Sequence, residues 1–255
     1  MRFKLLLCGM FLLAVLVLRA DTSDAQSNNS VIYAGGALPP FTTGSSGGPM
    51  TGGYATMVVK RVFNELNVPL TTVVTPFSRA LGMVKRGHSD VVFPVMEKDP
   101  ELDFLRFSKP LYVSRSVMLS ALDRKTPLEW GDGRTLAGMT VGLLKGYAPS
   151  DAFKSHAREQ SIQVVDAKDV PTLFRLIRLG RIDFTILDEI SAAHLLTHNS
   201  NWAGWIKIGK QIVYEQKMSI GIAKTSPIEG RMEQIDQVID KLISSGELES
   251  LFPGY

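Results

Sequence analysis

From residue 31 onward, short apolar runs alternate with longer stretches in which apolar side chains recur every three or four positions, the spacing of one helical face. Val31-Ile32-Tyr33-Ala34 predicts a first strand, stopped by Pro39-Pro40-Phe41. The glycine-rich segment from Thr42 to Gly53 is expected to be a flexible loop that packs no core of its own. Ala55, Val58, Val59, Val62, Phe63 and Leu66 then share one helical face. Leu70 to Val74 is short and β-branched, a second strand. Phe77, Leu81 and Val84 mark a second helix, and Gly87 stops it as a residue free to take a left-handed backbone. Asp90 to Val95 reads as a buried strand.

The second half repeats this order. Thr140 to Leu144 predicts a strand running on to Gly146, Ser150 to Glu159 a helix, and Gln163-Val164-Val165 a strand. The next helix tolerates Pro171 in its first turn, carries Leu173, Phe174 and Ile177, and ends at Gly180. Asp183 to Leu187 is again a strand. The segments starting at Gly87 and Gly180 each hold a helix-ending glycine, two residues, an aspartate (Asp90 or Asp183) and a buried run. Two such copies with matched flanks predict two similar α/β lobes, and the alternation of strands and helices predicts mostly parallel sheets. The chain closes with a strand at Met218 to Ala223, a helix carrying Ile228, Ile235, Val238, Ile239, Leu242 and Ile243, and a short helix at Glu247 to Leu251.

The first 25 residues follow other rules. Arg2 and Lys4 precede an uncharged apolar run from Leu5 to Leu18, and Ser23-Asp24-Ala25 places small residues at −3 and −1 of a cut before Gln26. That is the order of a secretory signal peptide, and the run falls short of the ~20 residues a spanning helix needs. The only cysteine, Cys8, lies near the start of this run, too early for lipidation. The exported chain therefore has no disulfide, thiolate metal site or cysteine nucleophile. At 45% hydrophobic and 21% charged, the chain is ordinary globular material. Its 28 basic and 25 acidic residues are spread without a basic block, so charge gives no case for nucleic acid or a membrane surface.

Enzyme motifs fare poorly. Gly44-Ser45-Ser46-Gly47-Gly48 matches G-x-S-x-G in letters, but prolines and glycines flank it where a nucleophile elbow needs a strand and a helix. Lys145-Gly146 has the wrong order for a phosphate loop, and no G-x-G-x-x-G follows a strand, so no cofactor is expected. His194 and His198 have the four-residue spacing that a helix could present to zinc, but HExxH is absent and a helix end fits them better. The sequence leaves carboxylate pairs open as catalytic groups.

Seven segments in order resemble one family, the extracellular solute-binding proteins of family 3, periplasmic receptors for polar amino acids and related solutes. They are Pro39-Pro40-Phe41, Gly53-Tyr54, Pro76-Phe77-Ser78-Arg79-Ala80-Leu81, Gly87-His88-Ser89-Asp90, Phe107-Ser108-Lys109-Pro110-Leu111-Tyr112, Val141-Gly142-Leu143-Leu144-Lys145-Gly146, and Gly180-Arg181-Ile182-Asp183 with Asp188-Glu189. The resemblance implies an α/β fold of the type II periplasmic binding protein kind, with residues 26–117 plus 218–255 in one lobe and 118–217 in the other. Crossover strands are expected near Val117 to Ala121 and Lys217 to Ile220. It implies a small polar solute, amino acid-like or an amine, held between the lobes of a monomer and passed to an ABC-type permease. The alternatives are a receptor that presents the solute to a membrane sensor, or an enzyme like the cyclohexadienyl dehydratases, with Glu97, Glu101 or Asp188 as its acid.

Carried over residue by residue, the resemblance assigns ligand contact to Asp188, whose other reading is a helix N-cap. It assigns an aromatic wall to Phe77, whose other reading is core, and backbone donors to Gly146, Tyr147 and Ala148. The family's carboxylate-binding arginine falls at Glu101 or Leu102 and is missing, which leaves Arg79 or Arg106 as substitutes and makes an amine or an uncharged solute as good a ligand as an amino acid.

Overall fold

The computed structural model describes residues 30–96, 100–131, 134–147 and 151–251. The predicted leader with Cys8, and also Glu97 and Ala148, lie outside the described residues. The first half runs β1 (Val31–Gly35), α1 (Tyr54–Glu65), β2 (Leu70–Val74), α2 (Phe77–Lys85), β3 (Val91–Met96) and β4 (Leu105–Phe107). A long strand, β5 (Tyr112–Ala121), leads out of it. The second half runs β6 (Thr140–Leu144), α3 (Asp151–Glu159), β7 (Gln163–Ala167), α4 (Val170–Arg178), β8 (Phe184–Asp188), α5 (Glu189–Thr197) and α6 (Ser200–Ala203). A second long strand, β9 (Ile206–Ala223), returns to α7 (Met232–Ser244) and α8 (Glu247–Leu251).

The local reasons for these elements are those of the sequence pattern. The apolar stripe of α1 (Ala55, Val58, Val59, Val62, Phe63) is wholly buried. Gly87 and Gly180 take the left-handed backbone just past α2 and α4. Asp169 caps α4 by accepting from Thr172 N at 2.8 Å, with Pro171 in the first turn, where its missing N–H costs nothing.

The sheet order is β2-β1-β3-β9-β5-β8-β6-β7, the same pattern read from either end. β1 pairs parallel with β2 and β3, as β6 does with β7 and β8. β3 then meets β9, and β8 meets β5, antiparallel. The two long strands pair antiparallel with each other from Tyr112↔Met218 to Ala121↔Ile206 and join the halves.

The repeated glycine–aspartate unit has one physical role in both copies. Asp90 accepts Ile32 N at 2.8 Å, at the start of β1, and Ser226 Oγ at 2.7 Å. Asp183 accepts Thr140 N at 2.9 Å, at the start of β6, and the Arg124 guanidinium at 2.6 Å. Each carboxylate thus satisfies an N–H at the start of the neighbouring parallel strand, where the ladder supplies no partner.

Three expectations are corrected. The segment from Thr42 to Gly53 is tied down, because Gly47 N donates to Val74 O at 2.7 Å, Val74 N donates to Gly48 O at 2.9 Å, and Met50 is buried. The strand expected at Met218 to Ala223 is the end of an 18-residue strand. The first crossover, expected near Val117 to Ala121, falls within a longer strand that starts earlier, at Tyr112.

Asp90→Ala and Asp183→Ala should each destabilise the fold by about 1–3 kcal/mol, the cost of leaving a strand N–H unpaired. Because the two sites lie in different halves, the double variant should show the sum. Urea midpoints check this, and a cost below ~0.5 kcal/mol at either site would make that aspartate dispensable.

Candidate functional site

A cavity of about 100 Å³ lies where the two halves of the sheet meet. It opens beyond the carboxyl ends of β3, β6 and β8, which contribute Met96, Leu144 and Asp188, the position at which open α/β sheets take ligands. Its floor is the ribbon of β5 and β9. Strand alternation points Tyr112, Ser114 and Ser116 inward from β5, and Tyr214, Gln216 and Met218 from β9. The intervening Arg115 and Glu215 are register partners on the solvent side, 3.3 Å apart. In β3, Pro94 has no N–H for the ladder, the register to β9 shifts between Val92 and Val95, and Pro94 lines the cavity.

Asp188 is the one charged side chain among the described residues that line the cavity. It ends β8 and caps α5, with Oδ1 accepting from Ile190 N at 2.9 Å and Ser191 N at 3.2 Å. Its Oδ2 accepts from Tyr112 Oη at 2.6 Å and Ser114 Oγ at 2.8 Å. All four donors are neutral, and no described Lys, Arg or His forms an ion pair with the carboxylate. Burial pushes the Asp188 pKa up, against the pull of the four hydrogen bonds. Burial, then the Asp188 charge, raises the Tyr112 phenol far above its ordinary value. Burial also raises Tyr214, countered in part by its hydrogen bond with Ser116.

The cavity is closed on one side by contacts between the halves. Tyr147, just after β6, stacks on Phe77 at the start of α2, with ring centroids 4.1 Å apart and planes 20° apart. Gly146 has φ +92°, and a Cβ there would stand 2.9 Å from Ser78 Cα. Only glycine lets this loop approach α2 so closely.

Of the residues singled out in the sequence, the structure brings Phe77, Gly146, Tyr147 and Asp188 together around the cavity. Arg79 is a correction to the expected substitute cation. It lies on α2, off the buried face of Phe77, Ala80 and Val84, and does not line the cavity. Arg106 is no substitute either, since it pairs with Glu229 at 2.7 Å. His194 on α5 and His198 at its C-terminal cap stack at 4.0 Å, and no group of three or more metal-ligating side chains occurs among the described residues.

Sequence reasoning misses Tyr112, Ser114, Ser116, Tyr214 and Gln216 as cavity residues. A signal for them exists in the alternation of Tyr112-Val113-Ser114-Arg115-Ser116 and Tyr214-Glu215-Gln216-Lys217-Met218. It is the period of two of a strand with distinct faces.

Two similar α/β lobes joined by two crossing strands, with a cavity between them, define a binding protein of the two-lobed periplasmic type. The chain matches the bacterial extracellular solute-binding proteins, family 3, over residues 31–255, and it belongs to that family. It is 21% identical over 217 residues to the L-cystine-binding protein TcyJ of Escherichia coli (strain K12), covering 85% of this chain and 78% of the relative. An arginine 3rd transport system periplasmic binding protein from Legionella pneumophila superposes with a TM-score of 0.74 at 18% identity, covering 89% of this chain and 99% of that one. The holo ArgBP of T. maritima gives 0.69 at 20% identity, covering 85% and 92%. The fold is thus shown by structure, and solute binding by family.

The substitution Asp188→Asn separates the cap from the charge. In this variant Oδ1 still accepts from Ile190 N and Ser191 N, while the amide NH₂ faces two hydroxyls that can rotate to accept. The melting temperature should stay within about 3 °C of wild type. Asp188→Ala removes the cap and strands two buried hydroxyls, and should cost about 2–4 kcal/mol. Equal melting temperatures for the two variants would contradict this.

Proposed function

We propose that this protein captures a small solute in the cavity between its lobes and delivers it to an ABC-type permease in the membrane. The observation that supports this reading most directly is that one cavity is walled by both halves of the sheet, with β5 and β9 as the two connections between them. Residues 26–117 with 218–255 would move as one body and 118–217 as the other, closing by rotation about the ribbon. The protein acts as a monomer in the periplasm after loss of its first 25 residues. It binds without turnover, a reading supported by Asp188, whose oxygens are already held by four donors. TcyJ is named for binding cystine, and the solved relatives include the substrate-binding protein of an amino acid ABC transporter.

Fluorophores at exposed Ser45 and half-buried Ser155, introduced as cysteines into the exported chain, should change separation when a solute saturates the protein. An unchanged separation at saturation would argue against hinged capture. Mass spectrometry of the exported protein should find its N-terminus at or within a few residues of Gln26, and an intact Met1 would overturn the cleavage.

A further inference from the structure

Tyr147 belongs to the second half by sequence and to the first half by packing. Its backbone follows β6, where Tyr147 N donates to Leu144 O at 3.0 Å. Its ring lies on Phe77, and a Cβ built on Gly36, just past β1, would stand 3.5 Å from the Tyr147 hydroxyl oxygen. Phe77, Val84, Val92, Val95, Leu102 and Leu105 belong to a small core inside the first half. Tyr147 packs against that core, and among the described residues it is the one member of the second half to do so. Burial there raises the Tyr147 phenol above its ordinary value.

The same ring is a partition. Leu38, Phe77, Leu144 and Tyr147 line both the cavity of about 100 Å³ and a neighbouring compartment of about 320 Å³, whose walls also include Thr75 and Lys145. These four side chains are the shared wall. Phe77 is fixed in it, because it opens α2 and is buried in the first half's core. Tyr147 hangs from a turn of the second lobe, so opening the lobes draws its ring off Phe77. A side chain tethered to one lobe and seated in the other acts as a ligand supplied by the chain itself. Tethering gives it a high effective concentration. The stacked aromatic pair favours the closed arrangement several-fold.

We infer that Tyr147 is a built-in occupant of the cleft and decides which solutes it takes: the ring latches the lobes together before any solute arrives, a compact solute binds behind it with the latch shut, and a solute with an aromatic end binds only by expelling it. This rests on the reading of hinged solute capture above and deepens it. Each apparent affinity scales with the fraction of molecules already in the competent arrangement. Compact solutes gain from a latch that is shut, and bulky aromatic ones lose by it. The volume open to a solute that leaves the ring in place is about 100 Å³, below the few hundred Å³ of a drug-sized pocket.

Single-molecule fluorescence on the exported protein, labelled at positions 45 and 155, tests the latch with phenol as the probe. Without solute, the wild type should already populate a short separation, which solute binding then completes. Tyr147→Ala should lower the ratio of closed to open molecules at least about threefold. Tyr147→Phe keeps the ring and should stay within about twofold of wild type. Phenol matches the group that Tyr147→Ala removes. In calorimetric titration it should bind that variant at least about tenfold tighter than wild type, and it should restore the short separation. The inference is overturned by a wild type that is wholly open without solute, or by a Tyr147→Ala variant that keeps the wild-type ratio. It is equally overturned by a Tyr147→Phe variant as open as Tyr147→Ala, or by phenol that binds both proteins alike or leaves the variant open. If a panel of amino acids and amines still shifts the wild-type separation in those cases, the latch alone is lost. If neither substitution nor any panel member shifts it, hinged solute capture falls as well.

Discussion

The antiparallel pairing of β5 with β9 is the constraint on which the rest of the structure depends. It carries the sheet from one half to the other among the described strands, and it sets the register of everything on either side. β3 and β4 are held to the far end of β9, and β8 is held to β5. A slip of one residue between the two long strands would turn Tyr112, Ser114 and Ser116 out to solvent and bring Val113 and Arg115 in. The cross-strand pair of Arg115 with Glu215 on the outer face works against such a slip, because opposite charges meet only in the observed register.

Asp188 shows how one carboxylate can cap a helix and face a cavity at once. A short strand followed by an acidic residue and a helix pattern is what a cap looks like. Whether a capping carboxylate also faces a cavity depends on what lies opposite. Here the opposite groups are Tyr112 and Ser114, more than 70 residues earlier in the chain. One oxygen serves the helix and the other serves the hydroxyls, so folding itself aims the group.

The α/β class, the paired halves and most element positions were legible because each rests on local pattern. The stripe of α1, the glycines after α2 and α4, and the matched aspartates at 90 and 183 all signal through their neighbours in sequence. The ribbon was legible only in part. Val117-Met118-Leu119 is continuous and apolar and reads as a strand, whereas Tyr112 to Ser116 sets Val113 and Arg115 between hydroxyl residues. That Arg79 lies off the cavity was not legible, since helical phase there is decided by Phe77 and Ala80 packing inward. The tethering of the Thr42 to Gly53 segment depends on backbone hydrogen bonds to β2, and backbone groups leave no signature in side-chain identity.

The return of the chain to its first half carries a consequence for biogenesis. α7 and α8 pack on α1, with Arg61 paired to Glu65 and Glu247 and with Lys241 paired to Glu65. β3 waits for a neighbour some 120 residues downstream, at Met218 to Ile222. As the polypeptide emerges N-terminus first, its leading half cannot be completed until nearly the whole chain has appeared. The later segment, from β6 to β8, has all its parallel partners within about 50 residues and can assemble as soon as it is free. A chain built this way stays unfinished at its leading end for most of its synthesis. That order would suit the export proposed above for this chain, in which it crosses a membrane before it acquires its shape.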